Sequence, residues 1–70
     1  MKILFQDDYG VYVSMLCSSI VATPDPDSDG WVVLATEIFG QNVIVRTGLT
    51  EADAKKIVRK LFDFGVYLDT

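Results

Sequence analysis

In the stretch "PDPDSDGWVV" three aspartates fall at alternate positions, Asp25, Asp27 and Asp29, with Gly30 directly behind them. That is the opening half of a calcium loop, which needs oxygen ligands at positions 1, 3, 5, 7, 9 and 12 and a glycine at 6. Counted from Asp25, the first three ligands and the glycine are present, and Trp31 offers a carbonyl at the seventh place. The second half fails. Val33 occupies the ninth place and Thr36 the twelfth, while Glu37 comes one residue late, which in a strand turns it to the opposite face. Pro26 also restricts how the chain can wrap an ion. Asp25, Asp27 and Asp29 are the only metal candidates in the chain, and the expectation is a solvated acidic turn without a metal.

Other chemistries find fewer groups still. The chain has no histidine and a single cysteine, Cys17, so neither a zinc cluster nor an intrachain disulfide can form. Cys17 and its neighbours Ser18 and Ser19 have no evident base beside them, and a hydroxyl or thiol nucleophile needs one. "GQNVIVRTG" lacks the glycine spacing and the Gly-Lys-Ser/Thr ending of a phosphate loop. The expected protein is not an enzyme and carries no cofactor.

Binding chemistry remains. Lys55, Lys56, Arg59 and Lys60 supply four of the six basic residues within one short segment. They form a basic face that could meet nucleic acid or another anion. The chain as a whole, however, is net −4, and an acidic domain repels a phosphate backbone outside such a stripe. Nucleic acid is therefore the secondary expectation, behind protein recognition, for which a basic helix and acidic loops suit steered docking.

These groups must be positioned by some framework, and the patterning describes one. "KILFQ" alternates over residues 2–6, "DDYG" is a turn, and a β-branched and aromatic run resumes the strand pattern over 11–17, which "SSIVAT" continues to 23 through a kink or replaces with another strand. The Pro- and Asp-rich loop follows, then apolar strands over 31–38 and 42–47 joined by "FGQN". Thr50 is an N-cap with acidic Glu51 and Asp53 in the first turn. Ala54, Ile57, Val58, Leu61 and Phe62 recur at helical spacing, and Gly65 closes the helix at 51–64. Residues 66–69 form a short tail strand. The fold class is α+β: residues 1–70 make one domain, an antiparallel β-meander of four to five strands with one C-terminal amphipathic helix on one face.

Half of the residues are apolar, more than so short a chain can bury, since a domain of this size hides only about 60% of its unfolded surface. One helix cannot cover both faces of a sheet. The uncovered face is expected to carry residues such as Tyr12, Leu16, Val32, Leu34 and Ile44, with Trp31 beside them as an aromatic anchor or as a strand-end residue capping the core. Trp31, Tyr12 and Leu34, together with the acidic loop, are the expected interaction surface. Its partner is a second copy of the chain, another protein, or a small ligand held between subunits. No apolar run is long enough to span a bilayer, and "MKILF" is followed at once by "QDD", so a cytoplasmic protein without a signal peptide is expected.

Residues 30–63, "GWVVLAT…VIVRTGLTEADAKKIVRKLFD", resemble small bacterial and phage proteins in which a β-meander ends shortly before a helix opening T-E-x-x-A. The resemblance implies a compact accessory protein, of the kind encoded on mobile elements, that works by binding; a phage-type modulator of a host protein is the expected function. It brings no catalytic residues.

Overall fold

The computed structural model describes residues 1–68. The chain runs β1 (Lys2–Gln6), β2 (Tyr12–Pro24), β3 (Trp31–Glu37), β4 (Asn42–Leu49), α1 (Glu51–Phe64) and β5 (Val66–Tyr67). The fold is α+β, a five-stranded sheet of order β4-β3-β2-β1-β5 with the helix packed against it. Strands β1 to β4 form the antiparallel meander. The expected strand at 11–23 lies one residue further on, the one at 31–38 stops at Glu37, and the one at 42–47 extends to Leu49. The tail strand is shorter than 66–69, ending at Tyr67, and residue 69 lies outside the described residues. It also departs from the antiparallel pattern. After the helix crossover β5 returns beside β1 and pairs with it in parallel, Leu4 opposite Val66 and Phe5 opposite Tyr67.

Local chemistry fixes the joints. The Asp7 carboxylate accepts from the Tyr9 and Val11 amides, each at 2.9 Å, and so closes the β1–β2 turn. Thr50 Oγ1 accepts from the Asp53 amide at 3.1 Å, the N-cap expected from the sequence. Gly65 ends the helix in the left-handed region, with φ 71°, and its amide donates to the Leu61 carbonyl. A side chain there would meet the Lys2 carbonyl at 3.2 Å, because the Gly65 carbonyl also accepts from the Leu4 amide and draws the backbones together. Gly65→Ala is therefore expected to cost about 1.5 kcal/mol, the left-handed penalty plus local crowding. Urea unfolding measures it, and a midpoint equal to wild type would contradict this account of the helix end.

A bulge divides β2 into two roles. Lys2–Gln6 pairs with Tyr12–Leu16, whereas β3 pairs with the later part of β2, from Cys17 to Pro24. Between Cys17 and Ser19 the register slips, so that Cys17 and Ile20, three apart, both face the helix. The core is one cluster: Ile3, Phe5, Cys17, Ile20, Val33, Ala35 and Val45 from the sheet, and Ala54, Ile57 and Leu61 from the helix. Val58 packs against it in part, but Phe62, expected on the same apolar face, is exposed. Phe62 sits at the margin of that face, eight residues from Ala54, where the helix has rotated past the sheet.

A second irregularity lies in the β3–β4 ladder, whose register shifts on both sides of Val33. There Arg46 crosses to the far end of the strand order. Its Nη2 donates to the Gln6 carbonyl at 2.8 Å, its Nε lies 3.5 Å from an Asp8 carboxylate oxygen, and its guanidinium sits 5.4 Å from the Tyr67 ring centre. The Thr47 hydroxyl donates to Asp8 at 2.6 Å and the Thr47 amide to both carboxylate oxygens at 3.2 Å. β4 and β1 are not neighbours in the sheet, so these bonds show that it curls until its two sides meet at a polar seam.

Candidate interaction surface

Antiparallel partners point to the same side, so the register divides the sheet into two faces. The side away from the helix carries Lys2 and Leu16, Leu4 and Ser14, and Gln6 and Tyr12 on β1 and β2. Beyond the bulge it carries Thr23 with Val32, and Ser19, Thr36 and Asn42 in one row across three strands. Between these lies an apolar row: Val21, Leu34 and Ile44, side by side on β2, β3 and β4. Tyr12, Leu16, Val21 and Ile44 are exposed. Lys2 is the one charge among these residues, although the sequence carries sixteen acidic and basic residues. Charge-poor apolar surface of this kind is the composition of an interface centre.

Trp31 does not belong to this face. It pairs with Pro24 and Leu49 on the helix side, packs against the core cluster, and has the Lys55 ammonium 5.8 Å from its ring centre. It is a strand-end residue closing the core. Alternation explains this: Val33 and Ala35 are core residues, and Trp31 shares their parity.

The acidic loop is held by its own bonds. Asp25 Oδ1 accepts from the Asp27 amide at 2.9 Å, the Asp25 amide donates to the Gly30 carbonyl at 2.9 Å, and Ser28 Oγ accepts from Gly30. Asp25, Asp27 and Asp29 do not converge: among the described residues no three acidic, cysteine or histidine side chains come together as a metal site. Of the basic helix residues, Lys55 pairs with Glu51 at 3.4 Å as well as lying over Trp31, and Lys60 lies 5.9 Å from the Tyr67 ring centre. Lys56 and Lys60 also line a cleft between the helix and β4, with Asp53, Leu49 and Tyr67. Cys17 is buried, and Ser18 donates to the Thr36 carbonyl at 3.3 Å. No helix among the described residues is long and apolar enough to cross a membrane.

Two hollows, unforeseen in the sequence, adjoin the charge-poor face and share Ser14 as a common wall. One, of about 380 Å³, lies among Lys2, Leu4, Ser14, Phe64 and Val66. The other lies among Ser14, Leu16, Glu37, Ile38 and Phe39. Ile38 is held there by donation from its amide to the Leu16 carbonyl at 3.3 Å. Phe39 and Phe64 are 88% and 77% exposed. The sequence signal was available, since a phenylalanine in the four-residue turn "FGQN" has no strand partner to bury it. No family model, curated protein or solved structure matches this chain.

Proposed function

We propose that the protein is a non-catalytic, protein-binding module that acts in the cytoplasm through the face of the sheet turned away from the helix. Within that reading it is an accessory protein of the phage or mobile-element kind that modulates a host protein. The resemblance of residues 30–63 to such proteins supports the accessory role, and the lone thiol Cys17 suits a reducing compartment. The observation that carries the binding role is the uncharged row of Val21, Leu34 and Ile44 across three strands of the sheet. A fully polar outer face is what a sheet with one solvated side ordinarily shows. Here three apolar side chains stand abreast at its middle, where a partner would exclude water from all of them at once.

Ile44→Asp tests this reading. Ile44 is 53% exposed, so the substitution leaves the core intact and the melting temperature within a few degrees of wild type. A host protein retained by the wild type, once purified, is expected to bind Ile44→Asp at least about tenfold more weakly, the loss typical of a central interface residue. Unchanged affinity would overturn the reading. If binding instead failed in Lys56→Glu and above about 0.5 M salt, where screening is strong, the basic helix face would be the binding surface.

A further inference from the structure

Resting on the reading of this side of the sheet as a protein-binding surface, we propose that the hollows beside Ser14 form a two-fold contact between two copies of the chain, with Phe39 of each copy seated in the Lys2–Leu4–Phe64–Val66 hollow of the other. The knob and the hole lie on the same molecule on either side of one small residue. A rotation of 180° about an axis near Ser14 carries each over its counterpart, which is the geometry a two-fold contact requires: residue i meets j, and j meets i.

Charge follows the same exchange. Lys2 rims the hole and Glu37 stands beside the knob, and neither makes an ion pair among the described residues. Rotation brings Glu37 of one copy to Lys2 of the other, twice per dimer. Two chains of net −4 otherwise repel, and these pairs place opposite charges at the rim of an apolar contact, where they set register and orientation.

The area is sufficient. Aromatic side chains bury about 150–250 Å² each, so Phe39 and Phe64 alone offer roughly 300 Å² at their observed exposure. With Leu16, Ile38 and Val66, also exposed, each copy contributes on the order of 500 Å². The dimer then buries about 1,000 Å², the lower bound of a specific interface. Such an area corresponds to a reversible dimer whose population depends on concentration.

Sedimentation velocity across a tenfold concentration range tests the proposal with three variants. Wild type is expected to shift from monomer toward dimer as concentration rises. Phe39→Asp raises the dissociation constant at least about tenfold while the far-ultraviolet spectrum stays unchanged, because the side chain is on the surface. Lys2→Glu and Glu37→Lys each weaken the dimer by about fivefold, and the two together restore it, since the pair is reversed rather than removed. A wild type that stays monomeric to about 0.5 mM, a dimer indifferent to Phe39→Asp, or a double variant no better than either single one would each overturn the contact. A monomeric wild type would leave the role of the Val21–Leu34–Ile44 row standing, because that role is measured by Ile44→Asp against a different protein.

Discussion

Replacing Phe5 by alanine is expected to lower the melting temperature by about 20 °C, and to leave part of the population unfolded at 37 °C. Phe5 is fully buried, 0% exposed, and is the largest side chain in the core. It lies where three elements meet: it pairs with Val13 on β2 and with Tyr67 on β5, and it shares the core cluster with Leu61 of the helix. Truncating a buried phenylalanine costs about 3–5 kcal/mol, part lost transfer energy and part the cavity left behind. A chain of this length has roughly 4–10 kcal/mol in total. Each kcal/mol moves the transition of so small a domain by about 4–8 °C. Phe5→Leu, which keeps most of the volume, should cost about 1.5 kcal/mol or less. Calorimetry of the two variants beside wild type reads both values. A shift below about 5 °C for the alanine variant would mean that the layer between helix and sheet is not the main source of stability.

The second large effect is expected at Asp8, a residue that looks like an ordinary turn aspartate. Asp8→Ala should cost about 2.5 kcal/mol, and Asp8→Asn, which keeps an acceptor but loses the charge, about half of that. The carboxylate accepts the Thr47 hydroxyl and amide and faces the Arg46 guanidinium across the seam. Hydrogen bonds to a charged group are worth about 1.5–3 kcal/mol, and partial exposure keeps the sum near the middle of that range. Removal also takes one anion away from Arg46, whose Nε is buried, and weakening the charge compensation of an enclosed cation adds to the cost. The specific readout is hydrogen exchange at the Thr47 amide. It should accelerate in Asp8→Ala by far more than exchange at the core amides, since the seam opens before the sheet unfolds. Equal acceleration everywhere would show that Asp8 acts on global stability alone and does not close the sheet.

The contrast between Phe5 and Asp8 also marks what the sequence discloses. Ile3 and Phe5 alternate with polar neighbours, and Ala54, Ile57 and Leu61 recur at helical spacing, so the strand, the helix and their shared core follow from period alone. Thr50 and Gly65 announce the helix ends because capping is chemistry local to a few residues. The seam joins Asp8 to Arg46 and Thr47, nearly forty residues away, and no pattern within either segment encodes that meeting. The bulge falls at Ser18 and Ser19, two small polar residues indifferent to which side they face, so the change of parity left no apolar signature. Trp31 beside the loop fitted either face until Val33 and Ala35 were fixed in the core. The charge-poor face was readable in part: Tyr12, Leu16, Leu34 and Ile44 alternate with core residues along their strands, whereas Val32, on the same side, is buried. Phe64 was not foreseen as part of it, because it lies at the end of the helix, where periodicity has stopped.

The curl of the sheet bears on how much of its margins is open to another chain. A strand at a sheet margin presents its amides as a template on which further chains can add without limit. In this fold the Thr47 amide of the β4 margin is already satisfied by Asp8, and the opposite margin, β5, is two residues long. Strand addition is thus hindered at Thr47 on one margin and offered only two residues of β5 on the other. Two-fold contacts close on themselves after two subunits, whereas head-to-tail contacts propagate unless they form a ring. A carboxylate in a turn thereby shields part of one sheet margin in a chain that is half apolar.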